Sequence, residues 1–350
     1  MEKKVVAKRK HYIDIIKIVS IWMVCFLHTG PSGVSLYYKS GDLPQVILAT
    51  ISIACTVAVP LFFMCTGALL LSKEESIVQV WKKRIIRYIL ITIIFTLLYY
   101  VCVSWRNHTA IDLIFILKTM YHTWGYSHSG SYWFLYSYIG FLILLPMLRL
   151  IAKGLDKNLI KYMIIVNTVV CGVLPILESW FGMQDLGVTM VLITADVFFY
   201  PFLGYYIENC EFKEVCTRKN MFILGGMAIV SLVTSVAFSI KYIKMGIYTD
   251  EYVALFRIYI VLFIYVVAKK IGERVLLKQT LANIIAEIGQ CTFGIYLIHG
   301  LVYVLVDDFL ISKGILFTYE IAWVRCTSVF MISLVIVWIC RRISIIKKLF

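Results

Sequence analysis

The segment VILATISIACTVAVPLFFMCTGALL, residues 46–70, is 25 residues long and carries no charged side chain. A helix of about 20 apolar residues crosses the roughly 30 Å hydrocarbon core of a bilayer, because each residue adds about 1.5 Å. A segment in lipid must also satisfy its own backbone hydrogen bonds, which a helix does and an open sheet edge does not. The segment therefore predicts a membrane-spanning helix.

Apolar segments of similar length recur on both sides of it. They cover residues 12–31, 85–105, 131–149, 160–177, 187–206, 221–240, 252–268, 284–306 and 321–340. With 46–70 they predict about ten transmembrane helices, so the expected fold class is all-α, a polytopic membrane helix bundle. The loops between them are short, and we expect residues 1–350 to form a single integral-membrane domain.

The composition agrees with a membrane protein. Sixty-one per cent of the 350 residues are hydrophobic and 15% are charged, whereas soluble domains have about 45–50% apolar and about 25% charged residues. This balance excludes an ordinary soluble enzyme. The net charge of +14 would suggest nucleic acid as a partner of a soluble protein, but in a membrane protein such an excess marks cytoplasmic loops.

The positions of the basic residues distinguish these two explanations. Lys and Arg concentrate in the arm at 1–11, in alternate loops and in the tail at 341–350, whereas the opposite loops hold six of the 34. Basic loops stay on the cytoplasmic side, so both termini are predicted to be cytoplasmic. The charge then requires no nucleic acid. The first span follows a basic arm, but it is too long for a signal peptide and we expect it to be retained.

The first span carries two ionisable residues that point to chemistry. Lys17 and His28 are separated by about three helical turns, which places them on one face about 16 Å apart. A charge inside a span costs free energy and is a functional candidate, and an imidazole can accept or donate a proton near neutral pH. The alternative for His28 is a buried histidine bonded to a carbonyl. Asp14, near the start of the span, can pair or reach the interface.

A pair of arginines opens the third span. Arg84 and Arg87 are three residues apart, which predicts guanidinium groups on one side of the helix. They lie at the cytoplasmic boundary, where positive-inside anchoring is the simple explanation. The alternative is a phosphate site, because arginine presents paired donors that fit phosphate.

Further residues are candidates for a pocket within the bundle. They are Asp14, Tyr132, Trp133, Asp196, Arg257, Tyr296 and His299. The aromatic ones also suit an interfacial belt, and the charged ones also suit packing or pairing. Most of the ten cysteines fall in predicted spans, where they pack as small apolar residues, and no metal site is predicted.

Four motifs, in order along the chain, resemble acyltransferase family 3, a family of bacterial multi-span membrane proteins. They are YIDIIK at 12–17 followed by His28, VPLFFMCTG at 59–67, the pair Arg84 and Arg87, and YWFL at 132–135 with GIYLIH at 294–299. Two positions depart from the family pattern. Lys17 replaces an arginine and so lacks its paired donors. The tryptophan motif of the family follows a histidine, whereas Ser131 and Tyr132 precede Trp133 here and the nearby histidine is His128.

The resemblance implies a function and a site. It implies a membrane-bound O-acyltransferase of the bacterial cell (cytoplasmic) membrane, moving an acyl group, in most cases acetyl, to a hydroxyl of an envelope glycan or lipid-linked sugar. The donor is then cytoplasmic acetyl-CoA (acyl-CoA), a co-substrate rather than a permanently bound cofactor. His28 is expected to be the base or an acyl carrier, with Lys17 assisting, and Arg84 and Arg87 are expected to bind donor phosphates.

The sequence is also compatible with two other classes of function. A transporter or flippase for a small polar substrate or glycan could route its cargo past Asp196, Arg257 and His299. A sensor or assembly subunit without chemistry is a third class. The expected partners are acyl-CoA, the glycan or lipid-linked acceptor and the lipid bilayer, and the sequence is compatible with a homo-oligomer. We expect the chain to act alone or to pass its acyl group to a separate protein.

Overall fold

The computed structural model is helical throughout the part of the chain that it describes. It describes residues 9–29, 43–109, 112, 114, 132–181, 195–209, 216–244, 254–275, 279–315, 319–344 and 346–349. These residues form helices and no strand, so the prediction of an all-α polytopic bundle is confirmed.

Thirteen α-helices are present in these residues. They are α1 His11–Leu27, α2 Leu43–Cys55, α3 Ala58–Leu70, α4 Ile77–Val80, α5 Ile86–Arg106, α6 Trp133–Lys153, α7 Lys157–Thr168, α8 Leu174–Phe181, α9 Asp196–Asn209, α10 Arg218–Lys244, α11 Arg257–Val275, α12 Gln279–Ser312 and α13 Tyr319–Cys340. A π-helical turn, Trp81–Ile85, joins α4 to α5, and a second, Val169–Val173, joins α7 to α8. A 3-10 turn, Ile346–Lys348, follows α13.

Seven segments within the described residues are long and apolar enough to cross a membrane. They are Val46–Leu70, Ile77–Arg106, Trp133–Lys153, Lys157–Phe181, Arg218–Lys241, Gln279–Ser312 and Ile321–Cys340. The remaining predicted spans correspond to shorter or more charged helices. Helix α1 has 17 residues, and α11 includes several charged side chains. The predicted span 187–206 begins with residues 187–194, which lie outside the described residues, and its later part belongs to α9. The cytoplasmic location of the termini stays a prediction.

The break between α2 and α3 follows from a proline. Pro60 has no N–H to donate to the carbonyl of Thr56, and a proline at such a position kinks or breaks a helix. Helix α2 accordingly ends at Cys55, and α3 begins at Ala58. Thr56 donates from its hydroxyl to the carbonyl of Ile53 at 2.7 Å, which satisfies one carbonyl at the end of α2.

Helix α1 lies at the centre of the bundle, in contact with α2, α3, α11, α12 and α13. Two glycines allow its neighbours to approach. A Cβ atom on Gly272 of α11 would lie 2.5 Å from the Cβ of Tyr12, and one on Gly289 of α12 would lie 2.6 Å from Oδ1 of Asp14. Real Cβ atoms do not come this close to other atoms, so both positions require glycine.

A second close crossing joins α3 to α9. A Cβ atom on Gly67 would lie 1.9 Å from the carbonyl oxygen of Pro201, and one on Gly204 would lie 2.0 Å from the carbonyl oxygen of Met64. The two backbones therefore meet at reciprocal glycines. Small residues at such crossings give membrane helices the backbone contact that packs them together.

This crossing predicts a difference between two Gly→Ala variants. Gly67→Ala should lower the thermal midpoint, because overpacking costs about 1–3 kcal/mol. Gly226→Ala is the matched control, since a Cβ atom there meets nothing within 4 Å and alanine favours a helix by up to about 1 kcal/mol. Thermal denaturation of the purified proteins in detergent measures both. Equal midpoints for the two variants would contradict the close approach of α3 and α9.

Candidate functional site

A cavity of about 310 Å³ opens between five helices, α1, α3, α5, α6 and α12. Its size falls at the lower end of the range for small-molecule sites, roughly 300–1,000 Å³. Polar side chains on its wall are Arg9, Asp14, Lys17, Thr66, Arg87, Gln290 and Thr292, and aromatic ones are Phe62, Tyr88, Phe134, Tyr138, Phe293 and Tyr296. The cavity therefore combines a cationic part with an aromatic part.

The charged residues of the cavity give it a positive balance. Arg9, Lys17 and Arg87 contribute three positive charges, and Asp14 contributes one negative charge. Arg9 donates two hydrogen bonds, of 2.7 and 3.0 Å, to the Asp14 carboxylate, and it also donates to the carbonyl of Ala286 at 2.8 Å. Asp14 is thereby committed to Arg9. A net charge of about +2 favours an anionic ligand.

Lys17 and Arg87 share this cavity although 70 residues separate them in the sequence. Lys17 is half-buried on α1, and within the described chain its ammonium group has no carboxylate within 4 Å. Arg87 projects from the first turn of α5. Two cations from different helices on one wall fit a ligand that carries more than one negative charge.

The aromatic side chains form a continuous layer across the bundle. Ring centroids lie 5.3 Å apart between Phe63 and Phe134, 5.5 Å between Phe134 and Tyr296, and 5.9 Å between Phe134 and Tyr138. Tyr296 occupies the edge of this layer, because its ring also lies 5.8 Å from that of His299. The cavity therefore ends one aromatic ring away from a histidine.

Two histidines meet beyond Tyr296. The rings of His28 and His299 are 5.2 Å apart between centroids. His28 caps the C-terminal end of α1, where its N–H bonds to carbonyls of the last turn, and His299 is fully buried in α12. The Nδ1 atom of His299 lies 2.6 Å from the carbonyl oxygen of Tyr296.

This contact fixes the tautomer of His299. A carbonyl oxygen only accepts, so Nδ1 carries the proton and donates it, and in the neutral ring Nε2 is then an acceptor. Nε2 is buried and has no hydrogen-bond partner within the described residues. A buried acceptor without a partner costs free energy, so His299 offers this atom to a group that enters beside His28.

The backbone around His28 is held by two side chains from neighbouring helices. Tyr303 of α12 donates to the carbonyl of Cys25 at 2.6 Å. Arg325 of α13 donates to the carbonyl of Thr29 and forms an ion pair of 2.6 Å with Asp307. Cys25 and Thr29 flank His28 in the sequence, so these two bonds hold the backbone that carries the imidazole.

The structure gives the two arginines of the Arg84–Arg87 pair different surroundings. Arg84 lies in the π turn before α5 and donates to both oxygens of Glu75, at 3.0 and 2.8 Å. Arg87 lies after that turn and lines the cavity. A π turn carries an extra residue, so the i, i+3 register of a regular helix does not extend across it. Arg84 does not line the cavity.

Glu75 also binds a third arginine. Arg149 of α6 donates to its carboxylate at 2.7 Å and to the carbonyl of Leu70, the last residue of α3, at 3.1 Å. Hydrogen bonds from Arg84 and Arg149 lower the pKa of Glu75 to about 2, although burial opposes the shift. This cluster connects the C-terminal end of α3, the turn before α5 and the C-terminal part of α6. All three helices contribute to the cavity.

The other candidates lie at different distances from the cavity. Tyr132 is buried and donates to the carbonyl of Leu297 at 2.7 Å, next to the histidine pair. Trp133 is 45% exposed and faces away from the interior. Asp196 and Arg257 form an ion pair of 2.6 Å with each other, and neither lines the cavity.

Sequence reasoning did not identify several residues of the site. Arg9, Tyr88, Tyr138 and Gln290 line the cavity, and Glu75 sets the position of Arg84. Arg9 had one available signal, an acidic residue in the first turn of the helix that follows it. No signal pointed to the others, because their roles depend on contacts between distant segments. Over the described residues, no group of three His, Cys, Asp or Glu side chains is placed to hold a metal.

The Glu75 cluster predicts a pH-dependent stability. Because its folded pKa is about 2 and the ordinary value is 4.5, the ionised carboxylate stabilises the fold above about pH 4.5, and this stabilisation is lost as the pH falls towards 2. Glu75→Gln should therefore lower the thermal midpoint near neutral pH, and its difference from wild type should shrink below about pH 4.5. The control is Glu74→Gln, at an exposed neighbour. A difference that stays constant with pH would contradict the pairing.

The chain matches one family over nearly its whole length. The family model for the acyltransferase domain of acyltransferase family 3 aligns with residues 10–342. No curated protein and no solved structure matches the chain significantly. The match spans both the cavity and the histidine pair. The protein is therefore a multi-pass membrane acyltransferase that belongs to acyltransferase family 3.

Proposed function

We propose that the protein is an O-acyltransferase that takes an acyl group, acetyl in the simplest case, from cytoplasmic acyl-CoA. The acceptor is a hydroxyl of a cell-envelope glycan or a lipid-linked sugar, and the site of action is the bacterial cytoplasmic membrane. One observation carries the proposal. The cationic cavity that holds Lys17 and Arg87 is separated from His28 and His299 by the ring of Tyr296.

The cavity suits the donor. The charge distribution along the sequence predicts that this end of α1 faces the cytoplasm, where acyl-CoA is found. Lys17 and Arg87 supply the charges for donor phosphates, and the flexible pantetheine arm, with its amides and methylenes, suits the mixed polar and aromatic wall. The length of α1 between Lys17 and His28, about 16 Å, is within reach of this arm. The thioester is then delivered through the aromatic layer to the histidines.

The histidine pair suits the chemistry at the thioester. A sugar hydroxyl attacks a thioester poorly while it keeps its proton, and a base removes that proton as the bond forms. His28 takes the proton, the hydroxyl oxygen bonds to the acyl carbon, and the carbon–sulfur bond breaks. His28 then returns the proton to the leaving CoA thiolate. The products are an O-acyl ester and free CoA, and no other reactant is required.

His299 is assigned the role of a positioning residue. Its Nδ1 is committed to the Tyr296 carbonyl, so its Nε2 accepts a hydrogen bond from either the His28 ring or the incoming hydroxyl. In both cases the acceptor atom orients the group that transfers a proton. The anchors Tyr303 and Arg325 hold the backbone of His28 in place for the same step.

His28→Asn tests the base. General-base catalysis contributes about 10²–10⁴-fold, so transfer from radiolabelled acetyl-CoA to a membrane glycan fraction should fall by at least about a hundredfold. Binding of CoA, measured by calorimetry, should be retained. The matched control is His108→Asn, at an exposed turn whose left-handed backbone, with φ of 52°, suits asparagine. Transfer at the wild-type rate by His28→Asn would overturn the mechanism.

Comparison of Arg87→Ala with Arg84→Ala separates donor binding from structural support. Loss of a charge-assisted contact to phosphate should raise the KM for acetyl-CoA about tenfold or more in Arg87→Ala. Arg84→Ala should instead lower the thermal midpoint, because it removes the main partner of Glu75, and change the KM much less. An equal KM increase in both variants would restore the earlier expectation that the two arginines form one phosphate site.

The competing function is transport of a small polar substrate or glycan. Three residues were candidates for its route. Asp196 and Arg257 form an ion pair with each other and do not line the cavity, whereas His299 lies beside His28. Absence of acetyl-CoA binding in folded wild-type protein, together with glycan flux in proteoliposomes, would favour transport over acyl transfer.

A further inference from the structure

A second polar cavity lies beside the first, at the end of α13. It has a volume of about 260 Å³, and its wall includes Glu287 and Gln290 of α12, Trp338 of α13, and three cations after it, Arg341, Arg342 and Lys347. Three positive charges against one carboxylate leave a net charge of about +2. Basic residues at a membrane boundary commonly serve topology alone, and the arrangement of this group points to more than topology.

Gln290 connects the two cavities. It is part of the wall of the cationic cavity that holds Lys17 and Arg87, and also of the wall of this second cavity. Its side-chain oxygen accepts a hydrogen bond of 2.7 Å from Arg341. A ligand too long for the first cavity can therefore extend along Gln290 into the second one.

Both arginines are held in place before any ligand binds. Arg341 is fixed by Gln290, and Arg342 stacks on Trp338, with its guanidinium carbon 3.2 Å from the ring centroid, and donates to the Trp338 carbonyl at 2.9 Å. A guanidinium group has five N–H donors, so these bonds leave donors for a further acceptor. Ordering them in advance reduces the entropy that binding costs.

We infer that this second cavity binds the phosphorylated ribose end of the acyl-CoA donor, with Arg342 and Lys347 contacting its 3′-phosphate. The inference rests on the proposed function. Acyl-CoA carries phosphates at two places, the diphosphate in the middle of the molecule and the 3′-phosphate at its nucleoside end. The cation pair in the first cavity matches the diphosphate, and the cluster after α13 matches the 3′-phosphate in the adjoining space.

The test compares CoA with dephospho-CoA, which lacks only the 3′-phosphate. Both are titrated by calorimetry into wild type and into the Arg342→Ala/Lys347→Ala double variant, in nanodiscs of zwitterionic lipid. Wild type should bind CoA about tenfold or more tightly than dephospho-CoA, because a charge-assisted contact to phosphate is lost. The double variant should bind both compounds equally, with the wild-type affinity for dephospho-CoA.

The matched control is Lys157→Ala/Lys161→Ala, which removes two exposed basic residues of α7. This variant should keep the wild-type preference for CoA. Repeating the titrations in nanodiscs with anionic phospholipid addresses the other source of phosphate. If the cations after α13 bind lipid headgroups instead, anionic lipid will change the thermal midpoint of wild type and leave that of the double variant unchanged. In that case neither protein will bind CoA more tightly than dephospho-CoA.

The outcomes separate this inference from the proposed function. Equal affinity of wild type for CoA and dephospho-CoA overturns the 3′-phosphate site and leaves the donor site at Lys17 and Arg87 intact. A preference for CoA that survives in the double variant overturns it as well. If folded wild type binds neither compound, the proposed function itself fails.

Discussion

The site depends on how closely the neighbouring helices approach α1. Gly272 and Gly289 bring α11 and α12 against the first turns of α1, at distances that a side chain would prevent. This contact determines where Lys17 lies on the cavity wall and where the other end of α1 meets His299. A helix with an aspartate, a lysine and a terminal histidine is poorly suited to lipid on its own. Contact with five helices encloses these groups within the bundle and keeps them out of the hydrocarbon.

The features that sequence could predict are those with a local cause. Charge-free runs such as residues 46–70 predict spanning helices because transfer of a helix into lipid depends on its own composition. The spacing of Lys17 and His28 predicts one helical face for the same kind of reason. Composition identifies a span less sharply where charges enter, and α11, which carries lysines, is not among the seven segments that meet the length and hydropathy of a span. The four motifs were sufficient to place the chain in its family, which the match over residues 10–342 confirmed.

The features that sequence could not predict require contacts between distant segments. Regular helical geometry placed Arg84 and Arg87 on one side, but the π turn between α4 and α5 directs Arg84 towards Glu75. No local sequence pattern predicts such a π turn. Asp196 and Arg257 were candidates for a pocket, for packing or for pairing, and only the folded chain shows that they pair with each other. The buried Nε2 of His299 is likewise a property of its surroundings, not of its sequence motif.

The aromatic layer between the cavity and the histidines has a consequence for the energy supply of the cell. A continuous water-filled path through the bundle would let protons flow down their gradient and dissipate the membrane potential. The packed rings of Phe134, Tyr138 and Tyr296 obstruct hydrated ions, and in the proposed function only the uncharged pantetheine arm has to pass between them. The rings that guide the thioester in the proposed function thus also act as an electrical insulator, so acyl transfer at the histidines would proceed without a leak of charge through the bundle.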